Sequence, residues 1–169
     1  MNRTNDRTPV NTLIALGANI GDPVGQLRDA VERLREVIQL QAISAVYITE
    51  PVGFREQPEF HNMVVAGRTD VTIFRLRALG ERIEHCLGRQ RSVPDAPRVI
   101  DVDLLAYGEL IYSSASLTVP HPRMHRRSFV LTPLAEIAPD WRHPVFAATA
   151  LELSRALAAP TGVRFGGRL

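Results

Sequence analysis

Thr12-Leu13-Ile14-Ala15-Leu16-Gly17-Ala18-Asn19-Ile20-Gly21-Asp22-Pro23 decides the fold, because it holds the end of a strand, a turn and the start of a helix. Thr12 to Leu16 is a short apolar run closed by Gly17, the pattern of a buried strand. Asp22 then offers an N-cap, and Pro23 takes the first helical position, where a missing N–H is no loss. Val24, Leu27, Val31, Leu34 and Ile38 follow at three- and four-residue spacing, which predicts an amphipathic helix of about four turns.

Outward from this unit the same alternation continues. Gln41 to Ile48, rich in Ile, Val and Tyr, predicts a second strand, and the segment from Thr49 to Pro58 a loop punctuated by two prolines and a glycine. Phe60 to Ala66 predicts a third strand. A second amphipathic helix is expected from Val71 to Leu87, with Leu76, Leu79, Ile83 and Leu87 inward and Gly88 as its stop. A polar loop over 89–97 leads to a fourth strand, Arg98 to Tyr107, and two shorter helical stretches end near Leu157. The order β-α-β-β-α-β predicts an α+β fold, the ferredoxin-like split βαβ sandwich, with the C-terminal third as a helical elaboration. Residues 10–159 are expected to form one domain, with 1–9 and 160–169 as flexible tails.

Composition narrows the function classes. The 169 residues are 45% hydrophobic and 22% charged. No apolar run approaches the about 18 residues needed to cross a bilayer, and the first residues lack the apolar core of a secretory signal. Membrane and secreted roles are therefore not expected, and a cytoplasmic setting is. Cys86 has no partner in the chain, which excludes a disulfide framework and a cysteine-based metal site. All 20 basic residues are arginine, and the net charge is +2. Residues 1–9 carry +1 and residues 160–169 carry +2, so the body between them stands at −1. Basicity confined to the ends does not make a phosphate-backbone surface, and no nucleic-acid partner is expected.

Asp101-Val102-Asp103 is the sharpest chemical signal. Side chains two apart on a strand share a face, so both carboxylates can reach one hard cation or bridge two. Magnesium suits such a site, because it takes one or two carboxylates and completes its shell with phosphate oxygens and water. Arg89, Arg91 and Arg98 precede the pair; His121, Arg123, Arg126 and Arg127 follow it. Arginine forks bind phosphate through paired hydrogen bonds, so the combination points to phosphoryl-type transfer. The competing reading is a solvated strand face with ordinary ion pairs. Phe60 and Asn62 share a strand face and suit a flat heteroaromatic ligand, stacked by one and read on its edge by the other. Neither GxGxxG nor GxxxxGK[ST] occurs, and without lysine a P-loop is excluded.

Five stretches in order resemble the 6-hydroxymethyl-7,8-dihydropterin pyrophosphokinase family. They are Leu16-Gly17-Ala18-Asn19; Pro51-Val52-Gly53 with Gln57-Pro58-Glu59-Phe60-His61-Asn62; Gly88-Arg89-Gln90-Arg91; Pro97-Arg98-Val99-Ile100-Asp101-Val102-Asp103; and Val119-Pro120-His121-Pro122-Arg123-Met124. The resemblance implies transfer of the β,γ-diphosphate of ATP to the pterin hydroxymethyl group, with AMP released. It implies two Mg²⁺ ions on Asp101 and Asp103, and Arg89 and Arg91 on a loop closing over the phosphates. Arg98, His121 and Arg127 would contact the phosphates from the other side, with Glu84 near the nucleotide. The pterin would lie between Phe60 and Phe129, its edge bonded by Asn62 and Thr49, with Pro51 and Val52 beside it. A monomer with two small-molecule substrates is expected.

Three positions depart from that pattern: Ala18 where a serine is usual, no tryptophan before Pro97-Arg98, and Ser128 in place of a second arginine. A metal-dependent nucleotidyltransferase shares the paired aspartates but has no need of the Phe60–Asn62 pocket, and a catalytically idle relative would keep the motifs.

Overall fold

A computed structural model describes residues 8–51, 56–89, 96–157 and 162–169. The first helix starts where the sequence placed it, and the second starts two residues after the expected Val71. Helix α1 (Pro23–Leu34) opens on Asp22, whose carboxylate accepts the Gly25 N–H, and α2 (Ile73–Cys86) opens on Thr72, whose hydroxyl accepts the Arg75 N–H. Helix α1 ends at Leu34, a turn short of the expectation, yet Ile38 still packs in the core beyond it.

The strands are β1 (Val10–Ala18), β2 (Gln39–Ile43), β3 (Val46–Thr49), β4 (Phe60–Thr69), β5 (Asp101–Tyr107), a short pair β6 (Tyr112–Ser113) and β7 (Thr118–Val119), and β8 (Val163–Gly167). The main sheet runs β5-β1-β4-β3-β8, with β2 also on β4 and every pairing antiparallel. Helices α3 (Ser128–Ile137) and α4 (Ala150–Ala156) complete the chain. This is the expected ferredoxin-like order with its helical addition.

Both faces of the central strands are covered. Ile14, Leu16, Met63 and Val65 point to Leu27, Val31 and Leu34 of α1 and Leu76, Leu79 and Ile83 of α2. The alternate residues Leu13, Val64 and Leu105 pack instead on Val130, Leu131 and Leu134 of α3. Two-sided burial explains why β1 and β4 read as continuous apolar runs rather than alternating ones. Gly67 lets β2 approach: an added Cβ would sit 2.6 Å from the Gln39 carbonyl oxygen.

Three expectations change. The single strand over 41–48 is two, β2 and β3, broken at Ser44, whose hydroxyl accepts the Val64 N–H and donates to the Ala45 carbonyl. A side chain replaces part of the ladder there, a competition open to serine in any strand. The fourth strand starts at Asp101, not Arg98, because the Arg98 backbone bonds to Asn19 instead. The end of the chain is no free tail. Residues 163–167 pair with β3, while Arg164 contacts Glu59 and Arg168 contacts Glu136. These exposed ion pairs add little energy, so the ladder itself holds β8. Among the described residues no helix is long and apolar enough to cross a membrane.

Candidate active site

Strand β5 is the sheet edge beside β1, and its first residues carry the acids. Asp101 lies opposite Gly17 and Asp103 opposite Ala15, so both carboxylates project from one face. Their charge is not left bare. Asp101 accepts from Arg89 Nη1 at 2.6 Å and from Arg98 Nη1 at 2.9 Å. Asp103 has Arg127 Nη1 at 3.6 Å and His121 Nε2 at 3.8 Å. Glu84, near the end of α2, accepts the Val102 N–H at 2.9 Å and contacts Arg89 as well.

Crowding shifts these groups. Burial, and then the neighbouring Asp101, push the Asp103 carboxyl up to about 6 against the pull of Arg127, Arg89 and Arg98. Burial pushes Glu84 up to about 7, although the Val102 N–H and Arg89 work the other way. Burial, followed by Arg127 and Arg123, lowers His121 to about 4, leaving it neutral at physiological pH. Burial and Arg123 lower Arg127. Burial also works against the Arg89 cation, but Asp101 and Glu84 outweigh it and hold its proton more firmly than usual.

A raised carboxyl pKa contributes stability that is complete below the ordinary value and lost as pH rises through the folded one. For Glu84 that window runs from 4.5 to about 7. In buffer free of divalent cations, thermal stability should therefore fall across this range, and Glu84→Gln should flatten the fall. Unfolding curves at a series of pH values check it; equal slopes in the two proteins would refute it.

Two cavities meet at the carboxylates. One, of about 590 Å³, runs between α2, β5 and the β6–β7 hairpin; the other, of about 570 Å³, lies over β1, β4 and the start of α3. Arg89, Arg98, Asp101, Asp103 and His121 line both.

The second cavity is the aromatic one. Phe60 and Asn62 line it together, as their spacing on β4 predicts, with Thr49 and Phe129. Asn62 Nδ2 donates to Thr49 Oγ1 at 2.8 Å, which fixes the amide, so Thr49 orients Asn62 from below. Gly17 is needed beside it: an added Cβ would lie 3.0 Å from Asn62 Oδ1. The Arg98 guanidinium stands 5.2 Å from the Phe60 ring centre, and that of Arg127 stands 5.4 Å from the Phe129 ring centre. Pro51 is half-buried next to Glu50, a lining residue; Val52 and Arg91 lie outside the described residues.

The geometry adds roles that the sequence reading did not assign. Asn19, 2% exposed, donates from Nδ2 to Gln57 Oε1 and the Pro58 carbonyl and accepts the Arg98 N–H, tying the approach to Phe60 to the approach to Asp101. Ala18 packs fully buried in the core under α1 and α2, so a hydroxyl there would not face the cleft. Glu50, Arg123, Arg126 and Ser128 line the aromatic cavity; Arg77, Glu81 and residues 114–118 line the other. The Arg77, Glu81, Glu84 spacing on α2 was the signal for that wall, one helix face kept polar.

Among the described residues no group of three or more His, Cys, Asp and Glu gathers to enclose a metal. Among the described residues two crowded carboxylates make up the donor set, and they fit magnesium, which shares its shell with phosphate and water.

Comparisons with known proteins add the family and the fold. The family model described as 7,8-dihydro-6-hydroxymethylpterin-pyrophosphokinase (HPPK) matches residues 13–139. A 2-amino-4-hydroxy-6-hydroxymethyldihydropteridine pyrophosphokinase of Bacillus subtilis is 44% identical over 126 residues, covering 73% of this chain and 75% of that protein. One of the same name from Methylorubrum extorquens is 45% identical, covering 75% and 82%. The crystal structure of a Plasmodium falciparum HPPK-DHPS triple mutant superposes with a TM-score of 0.73 at 14% identity, over 90% of this chain, and shares the fold. This chain spans only 45% of that longer polypeptide, and 20% of a folic acid synthesis protein from Dictyostelium discoideum to which it is 37% identical. Paired acids on an edge strand, arginine forks around them and the match along residues 13–139 together place the chain in the 7,8-dihydro-6-hydroxymethylpterin-pyrophosphokinase family.

Proposed function

We propose that the chain transfers the diphosphate of ATP to the hydroxymethyl group of 6-hydroxymethyl-7,8-dihydropterin, giving AMP and the pterin diphosphate for folate biosynthesis in the cytoplasm, as a monomer. One observation carries this reading: two cavities of similar size open onto a single carboxylate pair. Two substrates, one flat and one polyanionic, would then approach the same point from different sides.

The aromatic cavity suits the pterin, with Phe60 and Phe129 against its faces and Asn62, held by Thr49, on its edge. The cavity along α2 suits the nucleotide. Asp101 and Asp103 would hold two Mg²⁺ ions, which supply charge neutralisation across the phosphates. Arg89, Arg98 and Arg127 would bind phosphate oxygens, joined by His121, which as a neutral imidazole can also donate a hydrogen bond. Arg91, in the same segment of chain as Arg89, would join them, and Glu84 would act through Arg89. The hydroxymethyl oxygen attacks the β-phosphorus, the bond from that phosphorus to the α-phosphate oxygen breaks, and AMP leaves with the electron pair. A loose transition state needs little help to remove the alcohol proton until late, so fixed charge and alignment carry most of the rate.

An assay for pterin-dependent AMP release with product analysis tests the proposal. Free pyrophosphate with a nucleotidylated acceptor would overturn it, and so would no AMP at all. Within it, Phe60→Ala should raise the KM for the pterin about tenfold or more and Asn62→Ala about fivefold, while the KM for ATP moves less than about twofold. Stacking of a base on an aromatic side chain is worth about 1–3 kcal/mol and a hydrogen bond about 1 kcal/mol. Equal effects on both KM values would place these residues in the scaffold instead.

A further inference from the structure

The nucleotide cavity extends past the phosphate region to a part of α2 that the chemistry above leaves unused. Arg77 and Glu81 line it there, seven and three residues before Glu84. At 1.5 Å per residue, Arg77 lies about 10 Å along the helix from Glu84, whose side chain shares Arg89 with Asp101, and that is the span of a nucleoside. The β6–β7 hairpin reaches the same end of α2, since Phe74 and Tyr112 meet edge to face at 5.7 Å, and its residues 114–118 line the cavity with Arg77.

Arg77 is held in a particular way. Nε and Nη2 both donate to Glu81 Oε1, at 3.2 and 3.0 Å, which directs the plane of the guanidinium. Nη1 is buried and has no hydrogen-bond partner among the described residues. A guanidinium N–H shut away without an acceptor is costly, and a ligand acceptor would relieve it. A helix-surface pair at this spacing contributes only a few tenths of a kcal/mol, so stability alone gives little reason for the arrangement. The planar, permanently charged fork can both stack on a purine and donate to a ring nitrogen.

We infer that Arg77, clamped by Glu81, binds the purine base of the nucleotide, Nη1 donating to a ring nitrogen. This rests on the assignment of the cavity along α2 to ATP. Phosphate-directed arginines would act on any polyphosphate, whereas Arg77 acts only when a base is present.

Calorimetric titration of the full chain with the magnesium complexes of ATP, ribose 5-triphosphate and inorganic tripolyphosphate separates these cases. Arg77→Met keeps the aliphatic stem and removes the donors. It should weaken ATP about tenfold and leave the other two within about twofold. Glu81→Gln, which retains Arg77 but loosens its clamp, should give a smaller loss for ATP alone. Unchanged ATP affinity in Arg77→Met, or equal loss for all three ligands, would overturn the inference while leaving the nucleotide cavity in place. Wild-type protein that binds ATP no more tightly than tripolyphosphate would overturn the cavity assignment itself.

Discussion

Asp103→Ala should lower turnover by at least about 10²-fold, a loss of about 3 kcal/mol or more of transition-state stabilisation, without lowering the melting temperature measured in the absence of divalent cations. The two halves of this expectation have one cause. Asp103 is crowded by burial and by Asp101, and its carboxyl resists ionisation up to about pH 6. Its partners stand off, at 3.6 Å for Arg127 and 3.8 Å for His121, so little attraction repays the crowding. An acid kept in an unfavourable place is a mark of function, since removing it relieves the fold. Asp101→Ala should lose activity to the same degree and also lose some stability, because Asp101 is the shared acceptor of Arg89 and Arg98. Turnover within about threefold of wild type in either variant would refute the assignment of both acids to the metal. A fall in melting temperature for Asp103→Ala, matched by the loss of activity, would mark that residue as structural.

What could be read from the chain beforehand follows from range. Helix starts depend on residues within one turn, so Asp22-Pro23 announced α1 correctly, while apolar spacing alone put the start of α2 at Val71, two residues before Ile73. The face shared by Asp101 and Asp103 needs only the two-residue period of a strand, and so does that of Phe60 and Asn62. Contacts between distant segments had no such local trace. The break at Ser44 depends on Val64, twenty residues on, and the late start of β5 depends on Asn19, seventy-nine residues before Arg98. Strand β8 was missed for the same reason, compounded by composition. Val163-Arg164-Phe165-Gly166-Gly167 alternates weakly and holds two glycines, and it becomes a strand only because β3 offers a free edge. The ion pairs were foreseen as a competing reading of the arginines, and the geometry makes that competition sharper. The forks that would hold phosphate are the ones now on Asp101.

Arg89 is where the two readings separate, through a second large effect. Its Nη1 bridges Glu84 and Asp101, and its side chain is 21% exposed. Arg89→Ala should lower turnover about 10²–10³-fold, as loss of a transition-state charge partner does. It should also destabilise the fold by about 1–3 kcal/mol, because two part-buried carboxylates lose their cation. The single variant cannot say which effect drives which, but the pair with Glu84→Gln can. Glutamine keeps an acceptor for the Val102 N–H and carries no charge, so the Arg89→Ala/Glu84→Gln protein should recover most of the lost stability. Were Arg89 only a counter-ion, turnover would return along with the melting temperature. If it binds phosphate, turnover stays down while stability recovers, since neither alanine nor the relieved Glu84 position can bond the anion. Arg89→Lys refines the point. A single ammonium restores charge but not the planar fork, and should recover stability more fully than rate. Melting curves and single-turnover rates on the four proteins decide it, and parallel recovery of both quantities in the double variant would sink the phosphate role.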